Sequence, residues 1–370
     1  MESWIKGADL SSLAEVEACG GHFKDGDIEG DALNILKDYG INMIRLRLWN
    51  NPYTPEGEGY GAGNCDLHYV MGMARRIRQQ GINWLLDFHY SDFWADPGKQ
   101  ILPKTWQGMD ADQLERAVYN YTFSVMTILK EENLLPAIAA IGNELTGGLL
   151  WPLGKVPEYG NIARFIGAGI RAVRQVDKNV KIMLHLDNGG NNELYKDWFG
   201  HYIEEGGEDF DYIGLSYYPF WHGTMEDLRN NMNDLAVRFG KDMIVTETSI
   251  GFSLEDYKQY EQLDDDQRKG MAADKKLAAR VSYAMTPQGQ CDFMKDLMEL
   301  IKAVPEGRGK GFVYWEAAWI PVPGSGWSDK AGLAYTGESG PGGNEWANQA
   351  LFDYEGNALP ALKTIRDFQV

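Results

Sequence analysis

Residues 137–148 read AIAAIGNELTGG and join two kinds of sequence within one short stretch. The first five residues are small or β-branched and apolar, as in a buried strand of a parallel sheet. The stretch then reaches Asn143 and Glu144, and a loop with two glycines follows. An apolar strand that finishes on an amide and a carboxylate raises the question of what those two side chains do.

Seven other stretches have the same apolar character. They are residues 4–11, 41–49, 82–90, 180–188, 210–219, 243–249 and 311–319. Segments with helical spacing lie between them, such as residues 31–40 and 67–81, and both end on a glycine. Strands that alternate with helices indicate parallel βαβ units, and eight units favour a (β/α)8 barrel, an α/β fold, over a doubly wound sheet. No linker or low-complexity tract interrupts the sequence, so we expect one domain, residues 1–370.

The overall composition restricts the partners of the chain. The net charge of −19 and the pI near 4.7 argue against nucleic acid and anionic lipid surfaces, and they suit a neutral substrate. No run of about 18 apolar residues predicts a membrane span. Twelve tryptophans fit either carbohydrate binding or a large aromatic core. Three widely spaced cysteines form no metal motif, and the first residues lack the pattern of an export signal.

The predicted strands share a polar or aromatic carboxyl end. These ends are Asp9, Trp49, His89, Glu144, Asp187, Tyr217, Glu247 and Trp315. In a barrel all of them lie on one face, which is the face where active sites form. Solvation alone does not explain the set, because tryptophan and tyrosine gain little from water. The sequence therefore predicts a site at the carboxyl face.

Glu144 and Glu247 end the fourth and seventh predicted strands and should face one another across the barrel mouth. Such a pair is what glycosidic bond cleavage needs, one protonated to assist the leaving oxygen and one ionised to attack. A carboxyl separation of about 5–5.5 Å gives retention and about 6.5–9.5 Å gives inversion. An isolated glutamate would more simply be a loop residue or an ion-pair partner. Glu316 is a rival, but strand alternation turns it away from Trp315, so we interpret it as structural.

Further polar side chains surround the predicted pair. Asn143 can hydrogen-bond a sugar 2-hydroxyl, a contact that strengthens in the transition state, whereas an isolated asparagine here would more simply form a turn. Arg45 and Arg47 share one face of the second strand, and one of them should keep the nucleophile ionised by lowering its pKa. The other can form an ion pair with a helix. His89 is a candidate donor to substrate, and Asp87 can orient it or be a buried structural acid.

Aromatic residues complete the predicted cleft. Trp315 is a candidate floor, and Trp319 stands close after it. Asp92 and Trp94 lie in the loop after the third strand, where Trp94 can be a sugar platform or a loop anchor. Tyr217 can donate to the nucleophile or pack within the barrel.

Several stretches together resemble glycoside hydrolase family 53, the endo-β-1,4-galactanases, within a clan of retaining (β/α)8 enzymes. The similarity covers nearly the whole chain. The long motifs DFHYSDFWADPGKQ and SYYPFWHGT are specific, whereas IGNE and VTETSIG mark only the clan. The other stretches that carry the resemblance are GADLS, GINMIRLRLWNNPY, LHLDNGGNN, YWEAAWIPVPG and NEWANQALFD.

The resemblance implies roles for the residues that match the family motifs. It implies Glu144 as the acid/base, Glu247 as the nucleophile and Arg45 as the arginine of the clan. The residues that it places in the cleavage subsite are Asn143, His89, Tyr217 and Trp315. The residues that it places in motifs lining the cleft are Trp49, Asp92, Trp94, His222 and Trp319.

The resemblance also implies the substrate and its setting. The family substrate is the β-1,4-galactan side chain of type I arabinogalactan and pectin, a neutral polymer. An enzyme of this kind acts outside the cytoplasm, as a monomer and without a required cofactor. Bacterial relatives often hold a calcium ion in the loops after strands seven and eight. The loop over residues 252–290 has no spaced Asp-x-Asp run, and its acidic segment 263–270 has a helical pattern, so we assign no metal ligand.

Two other functions fit the same residues. A clan relative that acts on mannan or xylan would share the catalytic pair and differ in its cleft walls, and a substrate panel distinguishes it. A galactan-binding protein on an inactive barrel would bind without releasing reducing ends. The presence of both glutamates argues against the binding protein.

Overall fold

The computed structural model describes residues 4–255, 257 and 275–370. The strands of this part are β1 (Ile5–Asp9), β2 (Phe23–Asp25), β3 (Ile28–Gly30), β4 (Met43–Leu48), β5 (Asn83–Phe88), β6 (Ile138–Ile141), β7 (Lys181–Leu186), β8 (Tyr212–Ser216), β9 (Asp242–Thr248) and β10 (Gly309–Tyr314). The helices are α1 (Leu13–Ala18), α2 (Ala32–Asp38), α3 (Leu67–Gln79), α4 (Ala111–Glu131), α5 (Tyr159–Val176), α6 (Asn192–Glu204), α7 (Met225–Phe239), α8 (Lys275–Ala278), α9 (Pro287–Lys302), α10 (Lys330–Thr336) and α11 (Ala361–Asp367).

Eight parallel strands close into a barrel in the order β1, β4, β5, β6, β7, β8, β9, β10 and back to β1. Each of these strands overlaps one of the eight predicted apolar stretches, so the predicted (β/α)8 barrel is confirmed. The short antiparallel pair β2–β3 was not predicted, because three-residue strands carry no periodic signal.

A compact apolar layer fills the part of the barrel interior that lies away from the carboxyl face. Its members are Ile5, Met43, Leu85, Ile138, Ala140, Met183, Tyr212, Ile244 and Val313. Because side chains alternate along a strand, positions two and four residues further on also point inward but lie nearer the carboxyl face. Arg45 and Arg47 follow Met43 in this way, and Asp87 follows Leu85. The apolar layer therefore supports a polar layer directly above it.

The helices α2 and α3 begin at an aspartate that caps the first turn and end shortly before a glycine with positive φ. The Asp31 side chain accepts hydrogen bonds from the backbone amides of Leu33 and Asn34 in α2, and the Asp66 side chain accepts one from Tyr69 in α3. Gly40 and Gly81 follow these helices with φ of +85° and +69°, which suits the predicted glycine stops. Among the described residues, no helix combines the length and apolar character needed to cross a membrane.

Candidate active site

Glu247 reaches the barrel mouth through an irregularity in β9. The β8–β9 register passes from Leu215 opposite Val245 to Ser216 opposite Glu247, so one extra residue, Thr246, is accommodated. The Thr246 side chain contacts Met183 of the interior, and strict alternation would therefore turn the next residue outward. The bulge instead directs Glu247 inward, where its Oε1 lies 2.7 Å from an Arg45 nitrogen.

Glu144 reaches the same mouth through a sharp turn after β6. Gly142 has φ of +92° and Glu144 has φ of +46°, so the chain passes twice through the left-handed region. Holding a non-glycine residue in that region destabilises the folded state by roughly 1–2 kcal/mol. The turn that imposes this conformation also positions the Glu144 side chain. The hydroxyl oxygen of Ser216 lies 2.7 Å from Oε1 of Glu144. The opening stretch therefore ends on a carboxylate because its strand turns into the cleft.

The two carboxylates are close and nearly buried. One oxygen of Glu144 and one of Glu247 lie within 4.8 Å of each other, and the residues are 9% and 6% exposed. At this distance and burial both groups cannot ionise without strong repulsion. The pair therefore favours one proton shared unequally between two acids.

Arg45 determines which acid ionises first. Its guanidinium is buried and lies within 2.8 Å of carboxylate oxygens of Asp9, Asp87 and Glu247. Burial raises the pKa of Glu247 to about 7, and the positive charge of Arg45 opposes that rise. The pKa of Glu144 lies well above its ordinary value because burial and the nearby charges of Glu247 and Asp187 all disfavour its ionised form. Glu247 is thus the group that ionises first.

Asn143 is held entirely by protein partners. Its Oδ1 accepts from Arg45 at 2.9 Å and lies 3.0 Å from Nδ1 of His185. Its Nδ2 donates to the carbonyl of Ala95 at 2.8 Å. Asn143 also lines the cleft, next to the predicted acid. These contacts fix the orientation of its amide.

His89 lies deeper than expected for a substrate donor. Its Nδ1 accepts from the Trp49 indole at 3.3 Å and from the Ala95 amide at 3.1 Å. The proton is therefore on Nε2, which donates to Asp87 at 3.1 Å. Burial lowers the pKa of His89, so the ring is neutral. Both ring nitrogens are engaged by the protein, although the ring itself lines the cleft.

Trp49 and Asp92 do not reach the cleft surface, although their motifs predicted that position. Trp49 is fully buried and holds His89. Asp92 is 1% exposed and accepts from the backbone amides of Asn51 and Lys104. Both side chains hold the loops behind the cleft and do not line the surface that a substrate would contact.

The adjacent residues Tyr217 and Tyr218 correct another prediction. The Tyr217 hydroxyl donates to the carbonyl of Gly223 at 3.1 Å, on the outer side of the barrel. The Tyr218 hydroxyl donates to Oε2 of Glu247 at 3.0 Å. Ser216 points inward, so alternation turns Tyr217 outward and Tyr218 inward. The hydroxyl beside Glu247 therefore belongs to Tyr218.

Aromatic rings form the walls of a cleft of about 1120 Å³. Its tryptophans are Trp94, Trp221, Trp315, Trp319, Trp327 and Trp346. The Trp94 indole donates to the carbonyl of Trp327, and the Arg47 guanidinium lies 4.3 Å from the centre of a Trp94 ring, so Trp94 is both an anchor and a wall. His222 lines the cleft too, and its Nδ1 lies 3.0 Å from the carbonyl oxygen of Ser216 and 3.2 Å from the backbone nitrogen of Tyr218.

Sequence reasoning missed several residues of the site. Tyr218 and Ser216 follow from counting alternation from Tyr212, and His185 follows in the same way from Met183. Trp327 and Trp346 come from the long segment after β10, which has no periodic pattern to place them. The Arg47–Glu316 ion pair is buried, and the Ser12 hydroxyl donates to Glu316, which agrees with the structural interpretation of that acid.

A metal ion has little support in the part of the chain that the structure describes. The one acidic or histidine group there with suitable spacing is Glu144, His185 and Glu247, which is the carboxylate pair itself. His185 is unsuited to a metal because its ring nitrogens already face Asn143 and Ser216. Segment 263–270, which raised the question of calcium, lies outside the described residues.

A family model, named relatives and a solved structure identify the family of the chain. A family model described as Glycosyl hydrolase family 53 matches residues 5–365. The endo-beta-1,4-galactanase of Bacillus subtilis (strain 168) is 33% identical, over 99% of this chain and 86% of that protein. The arabinogalactan endo-beta-1,4-galactanase of Humicola insolens is also 33% identical, over 96% and 97%. A solved structure described as the Ignisphaera aggregans GH53 catalytic domain has a TM-score of 0.89 at 38% identity, covering 98% of this chain and 96% of that one.

Proposed function

The chain belongs to glycosyl hydrolase family 53 and is therefore a glycoside hydrolase, and we propose that it cleaves β-1,4-galactosidic bonds within galactan, with retention of configuration. The observation that carries the proposal is the pair Glu144 and Glu247, whose nearest oxygens lie within 4.8 Å. That spacing suits direct attack by a carboxylate better than a water held between two acids. The names of the relatives support galactan as the substrate.

The first step forms a covalent glycosyl-enzyme. The ionised Glu247 attacks the anomeric carbon, and the bond from that carbon to the leaving oxygen breaks. Glu144 gives its proton to the leaving oxygen, so the shortened polymer departs with a neutral hydroxyl. Arg45 and Tyr218 hold the two oxygens of Glu247, which fixes the direction of attack.

The second step releases the sugar. Glu144 is now ionised and removes a proton from water, whose oxygen attacks the anomeric carbon and displaces Glu247. Two inversions at the same carbon give net retention. The charge of Glu247 is consumed in the glycosyl-enzyme, which lowers the pKa of Glu144 for its role as a base.

The cleft suits a neutral polymer of sugars. Sugar rings carry flat C–H faces that pack on indoles, and the half-buried Trp94 and Trp315 present such surfaces in the cleft that both acids line. Trp319, predicted to line the cleft, is only 1% exposed and packs edge-on against Trp315. We include Asn143, His89 and His222 as groups that shape the cleavage subsite. The polymer that fits is the galactan side chain of type I arabinogalactan in pectin. Such a substrate is too large to enter a cell, so the enzyme acts outside the cytoplasm. We also propose that it acts as a monomer of one catalytic domain.

The experiment is reducing-end release from linear β-1,4-galactan, with mannan, xylan and cellulose in parallel. Wild type should release reducing ends from galactan alone, and Glu247→Gln should lose activity by a factor of about 10⁴ or more. Proton NMR of the first product should show the β anomer. Release from another polymer would contradict the substrate, and a first product in the α form would contradict retention. Binding to galactan without release would favour the binding protein instead.

A further inference from the structure

A chain of five side chains, joined by four polar contacts, runs from Arg45 to Glu144 through the barrel interior. Arg45 donates to Oδ1 of Asn143 at 2.9 Å. Nδ1 of His185 lies 3.0 Å from the same oxygen, and Nε2 of His185 lies 2.8 Å from Oγ of Ser216. That hydroxyl oxygen lies 2.7 Å from Oε1 of Glu144. His185 and Ser216 are fully buried, so both are shielded from bulk solvent.

The position of each proton in this chain follows from its ends. A guanidinium only donates and a carbonyl only accepts, so Arg45 and the Ala95 carbonyl fix which end of the Asn143 amide is oxygen. That oxygen only accepts, so Nδ1 of His185 must donate to it. In a neutral ring Nε2 then accepts, and Ser216 must give its single proton to His185.

The contact between Ser216 and Glu144 remains, and two arrangements of its proton are to be compared. With its proton committed to His185, Ser216 can only accept from Glu144, and so the Glu144 oxygen must carry a proton. The alternative places the proton on His185 as an imidazolium and has Ser216 donate to an ionised Glu144. Burial and the nearby charge of Arg45 lower the pKa of His185 to about 3, which disfavours the imidazolium.

We propose that His185 and Ser216 are positioning residues that order the protons of this chain so that the acid proton is held on Glu144. The inference rests on the proposed function in taking Glu144 as the acid/base. It also bears on the second step, because a hydroxyl committed to His185 does not stabilise the ionised Glu144. The ionised acid is thus a stronger base towards water.

Other titratable and charged groups face Glu144 and His185, and they are the same in wild type and in a Ser216 variant. The groups facing Glu144 are Glu247, Asp187, Asp96, His185, Tyr218 and Tyr195. The groups facing His185 are Arg45, Asp87, His89 and His222. None of them is changed by substitution of Ser216, so a shift in that variant reports the chain itself.

The test is the alkaline limb of kcat/KM on galactan, which reports loss of the Glu144 proton in the free enzyme. In Ser216→Ala the protonated acid loses its acceptor, so the limb should move to lower pH by about one unit. If Ser216 instead donates to an ionised Glu144, the same variant moves the limb to higher pH. A limb that moves upward, or that does not move, would overturn the proposal.

Two further variants keep the test decisive. In His185→Phe the Ser216 hydroxyl is released to donate to the ionised acid, so the limb should again move to lower pH, whereas an unmoved or raised limb would contradict the proposal. Ser249→Ala is the matched control, because this buried hydroxyl donates to Gln349 and not to an acid of the cleft. It should keep the wild-type pH profile.

A measurement without substrate separates this inference from the proposed function. The infrared carbonyl band of protonated Glu144, assigned as the band lost in Glu144→Gln, can be titrated in the free protein. The band should persist at neutral pH in wild type and disappear at lower pH in Ser216→Ala. Wild type that hydrolyses no galactan would contradict the function alone, whereas a band absent at neutral pH would contradict the proton position alone.

Discussion

At the scale of single residues, the site depends on which neighbour along a strand points inward. Tyr217 and Tyr218 differ by one position, and one hydroxyl meets a backbone carbonyl while the other meets Glu247. The sequence allowed this distinction, because alternation from the inward Tyr212 reaches Tyr218 and not Tyr217. Motif position alone does not distinguish them, since both tyrosines lie in SYYPFWHGT.

Tyr218→Phe should move the acid limb of kcat/KM to higher pH. The hydroxyl donates to the ionised Glu247, so its loss raises the pKa of that acid, which must be ionised to attack. A shift of about one pH unit corresponds to one such hydrogen bond. Tyr217→Phe is the matched control, because its hydroxyl contacts Gly223 outside the cleft and its loss should leave the limb in place. Equal shifts in both variants would contradict the assignment.

At the scale of elements, each carboxylate of the proposed catalytic pair depends on a departure from regular strand geometry. The bulge at Thr246 turns Glu247 inward, and the left-handed Gly142 and Glu144 turn the chain after β6. The strands themselves were predictable, because continuous apolar runs alternate with helical spacing. The bulge was not, because an extra residue in a strand changes the inward face without changing composition.

Gly142→Ala should abolish most activity and destabilise the protein by about 1–2 kcal/mol. A side chain there would need φ of +92° and would place its Cβ 2.5 Å from a Leu145 methyl carbon, displacing the turn that carries Glu144. The measurements are urea unfolding and galactan hydrolysis. Gly72→Ala is the control, because Gly72 lies within α3 with no atom near the added carbon. It should keep activity and gain about 0.5–1 kcal/mol. Full activity in Gly142→Ala would contradict the role of this turn.

At the scale of the whole molecule, one apolar layer and one polar layer share the same barrel. The alternation of apolar runs with helical segments made the fold class predictable from the sequence, and the carboxylates at two strand ends made the acid pair predictable. The walls were less predictable, because Trp327 and Trp346 come from a long segment after β10 whose path depends on tertiary contacts, such as the Trp327 indole donating to the Pro341 carbonyl. The polar layer also stores buried charge that opposes folding.

Glu15→Gln should stabilise the protein, and more so at pH 8 than at pH 4.5. Burial raises the pKa of Glu15 to about 7, so the folded state holds a proton that the unfolded chain releases near its ordinary value. The free energy of unfolding therefore falls as the pH rises from about 4.5 to about 7, and this loss of stability is complete above pH 7. The melting temperature of the variant should exceed that of wild type by about 2–4 °C at pH 8. The control is Glu17→Gln, which breaks an ion pair with Arg76 and should raise the melting temperature at neither pH.

The proposed function requires Glu247 to be the nucleophile of a retaining mechanism. The most direct test is intact-mass and peptide mass spectrometry after incubation with 2,4-dinitrophenyl 2-deoxy-2-fluoro-β-galactobioside. The fluorine slows both steps, and the activated leaving group lets the first step outrun the second, so the glycosyl-enzyme accumulates. We predict one sugar adduct per chain, located on Glu247 and absent from Glu247→Gln. An adduct on Glu144 or Glu316, or a hydrolytically active enzyme that forms none, would contradict it.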